Sequence, residues 1–189
     1  MPKRMIGLHG KARAGKSTAA KMLIDRGYAD YEYAFAQPIK NMCKALGIDP
    51  ADPYWEANKT KPIPLLGGRS YRQIMQSLGT DWGQEFLGED VWVRFAEQIR
   101  QTMPDQTMLI SDVRYDNEAD FVKSNGGLII EITSPNPQEV HSHASESGID
   151  PRYVDFTVIN DGTLEQLDLV LKDIMDGFET RKQIFTKDK

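Results

Sequence analysis

Residues Gly10-Lys11-Ala12-Arg13-Ala14-Gly15-Lys16-Ser17 meet the pattern GxxxxGK[ST] at every fixed position. Residues of these types at this spacing can cradle a phosphate chain. Gly10 and Gly15 let the backbone curl until successive N–H groups point inward, and a helix starting at Lys16 adds the positive end of its dipole. Lys16 is then placed to reach the β- and γ-phosphates as a point charge, and the Ser17 hydroxyl to take one position on Mg²⁺. The flanks have the required character: Met5-Ile6-Gly7-Leu8-His9 reads as a short buried strand, and Thr18-Ala19-Ala20-Lys21-Met22-Leu23-Ile24 as a helix.

A second chemical signal is Thr107-Met108-Leu109-Ile110-Ser111-Asp112, an apolar strand ending in a carboxylate. In a parallel sheet with crossover helices, ligands gather at the carboxyl ends of the strands. Asp112 is therefore expected in the same crevice as Lys16 and Ser17, holding Mg²⁺ directly or through water, with Arg114 in reach of a transferring phosphate.

The elements that must position these residues follow in order. Helix 1 is expected from Lys16 to about Arg26, stopped by Gly27, before a strand over 31–35. Pro38 suits the first turn of the next helix, where Ile39, Met42, Cys43 and Leu46 repeat at helical spacing and leave Lys40 on another face. Cys43 reads as core, since no neighbour would lower its pKa. Residues 47–69 are rich in Pro, Gly and charge and read as a loop, with Tyr54, Trp55, Lys59 and Lys61 able to meet a base or a phosphate. Helix is expected over 71–80, with Arg72 and Gln76 sharing one face, and again over 81–101, with Trp82, Phe86, Val91, Trp92, Phe95 and Ile99 mostly inward. An arginine and an amide presented together can hold a phosphate and a base edge, and solvent exposure alone gives the same pattern.

A helix over 117–125 is stopped by Gly126-Gly127, and strands follow at 128–132 and 156–159. Between these strands, residues 134–152 are polar, carry His141, His143, Ser145 and Glu146, and are placed to close over a reaction and exclude water. His-x-His without a third ligand is a weak metal signal. The last helix carries Leu164, Leu167, Leu171, Ile174 and Phe178 as a core stripe, and the charged tail from Glu179 to Lys189 is expected to fray.

Alternating strands and helices around this loop predict an α/β three-layer sandwich, the P-loop NTPase class, with a five-stranded parallel sheet. At 189 residues and 40% hydrophobic content the chain suits one domain. Its core is assigned to 1–35, 105–133 and 153–180, a substrate-binding insertion to 36–104 and a lid-like segment to 134–152. Net charge is −5 and the cations are scattered, which gives no footprint of general nucleic-acid binding. A single cysteine and the lack of a long apolar run point to a reducing cytoplasm and away from a membrane. The sequence is compatible with a homodimer. The absence of NKxD and the long insertion favour a small-molecule kinase over a GTPase, with a non-enzymatic ATP-binding switch as the contrasting class.

Taken together, Gly10 to Thr18, Phe35-Ala36-Gln37-Pro38-Ile39-Lys40, Arg72 to Thr80, Asp112-Val113-Arg114, His143-Ala144-Ser145-Glu146 and Ile159-Asn160-Asp161-Gly162-Thr163 resemble the bacteriophage deoxynucleoside monophosphate kinases. The likeness runs along nearly the whole chain and lies in the order and spacing of the motifs. It implies transfer of the ATP γ-phosphate to a deoxynucleoside 5′-monophosphate with Mg²⁺, in the cytoplasm of the host if the chain is phage-encoded. By the same resemblance Gly10 to Thr18 bind ATP and Asn160, Asp161 and Gly162 lie against its adenine. Lys16, Asp112 and Arg114 serve catalysis, Ser17 and Asp112 serve the metal, and Lys40, Arg72, Gln76, Thr80, Arg114, His143 and Glu146 meet the acceptor. Gln84 stands where the family often carries arginine. The stretch from Ser145-Glu146 to Asn160-Asp161-Gly162 is also similar to animal-type phosphomevalonate kinases, which makes another small phosphorylated acceptor the alternative substrate.

Overall fold

Three apolar runs, Met5–His9 (β1), Met108–Val113 (β3) and Leu128–Thr133 (β4), are too hydrophobic to face water on either side and form the centre of a parallel sheet. With Tyr31–Tyr33 (β2) and Phe156–Ile159 (β5) the strand order is β2-β3-β1-β4-β5, every pairing parallel. This computed structural model describes residues 4–47, 58–135 and 148–186. The order in which strands are added reverses at β1, whose neighbours β3 and β4 lead away to opposite edges. The loop after β1 therefore lies at the switch point, where parallel α/β sheets bind ligands.

The chain forms two compact units, one of residues 1–34 with 103–189, the other of residues 35–102. In the first, helices Lys16–Asp25 (α1) and Leu164–Thr186, the last helix, cover the sheet through Ala19, Ala20, Leu23, Leu167, Leu171 and Met175, packed on Ile6, Leu8, Leu109 and Ile130. Burying each large aliphatic side chain contributes about 1.5–3 kcal/mol. Arg26, at the C-cap of α1, makes a two-pronged ion pair with Asp168 of the last helix. Gly27 takes the left-handed conformation, φ 75°, that ends α1 as expected. Two expectations for the last helix change. Leu164 is 62% exposed because it lies in the first turn, ahead of the face that meets the sheet. The helical backbone also runs on to Thr186 instead of fraying from Glu179.

The second unit begins with α2 (Gln37–Ala45), where Ile39 and Cys43 are buried and Leu46, at the C-cap, is exposed. A short 3₁₀ turn, Pro64–Leu66, interrupts what reads as loop in the sequence. Ser70 then caps α3 (Tyr71–Ser77): its Oγ accepts the Gln73 N–H while Gln73 Oε1 accepts the Ser70 N–H. From Leu78 to Leu87 the chain winds on as a π-helix, and α4 (Val91–Thr102) packs back on it. The expected α-helix over 81–101 is thus two elements. Gly79 and Gly83 supply weak α-helical preference, and the Trp92 indole N–H of α4 donates to Gly79 O at 3.0 Å. The wider turn rotates Trp82 and Phe86 out of the apolar phase, so they are 42% and 75% exposed. Phe95 is 40% exposed, and Val91 and Trp92 carry the burial. Among the described residues no helix is long and apolar enough to cross a membrane.

Candidate active site

The glycine loop leaves β1 at Gly10, φ 134°, and enters α1 at Gly15, φ 105°. Neither position admits a side chain. A Cβ on Gly10 would stand 2.1 Å from the Ile132 carbonyl at the end of β4, and one on Gly15 would stand 2.4 Å from the Asn160 amide nitrogen. Between them Arg13, φ 63°, is the non-glycine residue with positive φ among the described residues. These turns curl the loop over the N-terminus of α1. The Lys16 ammonium donates to Gly10 O at 2.6 Å and Lys11 O at 2.7 Å, placing the cation at the loop. Ser17 and Thr18 are exposed in the first turn of α1. Asn160, in the turn after β5, donates from Nδ2 to Ala14 O at 3.0 Å, so its side chain braces the loop, while Asp161 and Gly162 lie exposed beside it.

Asp112 does not end its strand, as the sequence suggests, but lies within it. Gly7 pairs with Ile110 and His9 with Val113, so β3 carries one more residue than β1 between these pairs. This bulge leaves Ser111 and Asp112 half-buried while Ile110 and Val113 stay buried. Bulges bend a strand and re-aim its side chains, and here the affected residue is the carboxylate on the strand that pairs with β1. Past the bulge, His9 Nδ1 donates to Val113 O at 2.9 Å. Arg114, exposed, heads the turn into α5 (Asp116–Ser124), where Glu118 Oε2 accepts the N–H of Arg114 at 2.7 Å and of Tyr115 at 3.2 Å. Glu118 is 4% exposed, and burial, with the Asp112 charge second, pushes its carboxyl up to about 8. Burial and then Asp112 likewise push the Tyr33 phenol, at the end of β2, up to about 12, so it stays a neutral neighbour of the carboxylate.

Of the remaining predicted residues, Arg72 and Gln76 lie one turn apart on α3, both half-buried, and Thr80 and Gln84 follow on the π-helix. Lys40 is half-buried on α2, which packs against α3. The acceptor candidates Lys40, Arg72, Gln76 and Thr80 thus belong to one compact unit. Tyr54, Trp55, His141, His143, Ser145 and Glu146 lie outside the described residues. Just beyond them Ile149 is buried, and the Asp150 N–H donates to Asp116 Oδ1 at 2.8 Å.

The deoxynucleotide monophosphate kinase family matches residues 67–170 of this chain. The chain belongs to that family. A protein of Acanthamoeba polyphaga mimivirus bearing the family's name is 32% identical over 180 residues, covering 86% of this chain and 91% of its own. The deoxynucleoside-5′-monophosphate kinase of Escherichia phage T5 is 25% identical over 223 residues, 82% of this chain and 89% of the phage protein. Among solved structures, TT1252 from Thermus thermophilus aligns with a TM-score of 0.50 at 14% identity over 94% of this chain and 98% of its own, a likeness of fold. Strand order, glycine loop and bulged Asp112 strand therefore sit in a deoxynucleotide monophosphate kinase family member.

Sequence reasoning missed three residues beside this candidate site: His9, Tyr33 and Glu118. An acid four residues after Arg114 carries a weak signal as the first-turn acid of a helix. His9 and Tyr33 carry none, because their partners are brought to them only by strand pairing.

Proposed function

We propose that this chain transfers the γ-phosphate of ATP to a deoxynucleoside 5′-monophosphate, forming ADP and the deoxynucleoside diphosphate. The observation that carries this reading is the pairing of an intact phosphate loop with a carboxylate and an arginine at the carboxyl end of the adjacent strand, in a member of the deoxynucleotide monophosphate kinase family. The backbone N–H groups of residues 11–16 and the Lys16 ammonium bind the phosphate chain and hold the γ-phosphoryl group in line. Asp112 and Ser17 offer the hard oxygen donors that suit Mg²⁺, which would neutralise charge on the phosphates when bound. Arg114 follows the charge on the group in transfer. The acceptor phosphate is already an anion at neutral pH and attacks without a general base, so alignment and charge neutralisation supply the catalysis. Arg72, Gln76, Lys40 and Thr80 are proposed to hold the acceptor, with guanidinium on phosphate and amide on a base edge. His143 and Glu146 are proposed to reach it from the lid-like segment.

The test is ADP formation from MgATP, alone and with each common deoxynucleoside monophosphate, its ribose counterpart and phosphomevalonate. We expect an acceptor-dependent rate with deoxynucleotides, lost in Lys16→Ala. A response to phosphomevalonate alone, acceptor-independent hydrolysis, or undiminished turnover by Lys16→Ala overturns the reading.

A further inference from the structure

The hydrogen bonds of His9 and Glu118 fall on the two ends of a single peptide group. Val113 O accepts from His9 Nδ1 at 2.9 Å, and the N–H of Arg114, across the same planar bond, donates to Glu118 Oε2 at 2.7 Å. A carbonyl only accepts, so Nδ1 carries the proton. With both its ends engaged, the plane cannot rotate without breaking one bond or the other. On one side of this plane lies Asp112, one residue back in the bulge. On the other lies Arg114.

We propose that His9 and Glu118 are positioning residues that together fix the Val113–Arg114 peptide plane, and through it aim Asp112 and Arg114 at the phosphates. The inference rests on the phosphotransferase reading of this site and assigns neither residue a contact with substrate. Ordinary helix capping does not account for the arrangement. A first-turn acid reaches back to its own N-cap N–H, here Tyr115, yet the shorter of the two Glu118 bonds goes one residue further, to Arg114 outside the helix. His9 arrives from another strand, 104 residues away in sequence, as the last residue before Gly10. The phosphate loop and the Asp112 strand are thereby tied at their exits, so a shift of one carries the other.

The test compares His9→Ala with His9→Asn, whose amide nitrogen can replace Nδ1, and Glu118→Ala with Glu118→Gln, which keeps an acceptor oxygen. Each is assayed with MgATP and the best acceptor of the wild-type panel. Small misplacement of reacting groups costs rate more than affinity, so the alanine variants should lose about tenfold to a hundredfold in kcat with KM for both substrates within about threefold. Asn and Gln should recover most of the loss. Because both residues act on one peptide, the double alanine variant should lose little more than the worse single. Should Glu118→Ala fail to fold, the His9 pair and Glu118→Gln carry the comparison. The Arg114 amide proton, followed by NMR without substrate, should move upfield in Glu118→Ala or, in its place, shift in His9→Ala. That readout stands even if the wild-type chain phosphorylates no nucleotide, which separates failure of this inference from failure of the kinase reading. Equal loss in His9→Ala and His9→Asn, effects confined to KM, losses that multiply in the double variant, or an unmoved Arg114 resonance would each overturn the proposal.

Discussion

A buried carboxyl group is tolerable only while its proton or its hydrogen bonds offset the lost hydration, and Glu118 uses both. Its pKa is about 8 in the folded chain against an ordinary 4.5, burial being the larger cause and Asp112 the next. The sign follows by linkage. Between those values the unfolded chain has released this proton and the folded chain still holds it, so this group's contribution makes stability fall as pH rises through the window, then level off above it. Glu118→Gln has no proton to lose there. Urea unfolding at pH 5, 6.5 and 8 should therefore show the variant gaining on the wild type as pH climbs, and parallel curves would contradict the assignment. Gly10 illustrates the opposite extreme, a residue whose role is to be absent: the Ile132 carbonyl occupies the space a side chain would need.

Among the elements, the π-helix of residues 78–87 is held by one packing relation. A Cβ on Gly83 would stand 2.2 Å from Cζ2 of Trp92 and 3.0 Å from Leu78 O, and the indole cannot retreat without surrendering its bond to Gly79 O. Gly83→Ala should therefore destabilise the protein by about 1–3 kcal/mol despite its better helix propensity. Trp92→Phe should lose the indole bond but make the alanine easier to accept, so a double-mutant cycle read by chemical denaturation should show coupling; simple additivity would mean the contact is not a constraint. This segment also marks where sequence reading stops. The glycine loop and the five strands were legible because they are written in local spacing: phosphate geometry dictates GxxxxGK[ST], and buried strands demand unbroken apolar runs, whereas the bulge that sets Asp112 inside its strand depends on the register with β1. The inward assignment of Trp82 and Phe86 failed because it counted at the α-helical period, whereas the turn at 78–87 widens to suit Trp92, a residue on another helix. His9 and Glu118 escaped for the same reason at longer range. Nothing beside His9 in sequence announces that Val113 will lie opposite it.

At the scale of the molecule, the candidate residues are distributed over two compact units built on different principles. The unit of residues 1–34 and 103–189 holds the ATP-phosphate and metal candidates, Gly10 to Thr18, Asp112 and Arg114, around a parallel sheet, and the unit of residues 35–102 holds the acceptor candidates Lys40, Arg72, Gln76 and Thr80 on helices. Family membership extends across both, since the matched residues 67–170 span the join at 102–103. The sole cysteine of the chain, Cys43, belongs to the helical unit, fully buried on α2, and burial pushes its thiol above the ordinary range. That accident of composition equips the protein with a built-in stopwatch. An aromatic disulfide reagent has one target and can reach it only when the helical unit breathes, so the appearance of its coloured product times that opening without any engineered label. Labelling in native buffer should be slow and should accelerate with subdenaturing urea. Immediate stoichiometric release would mean that α2 does not stay closed over its thiol.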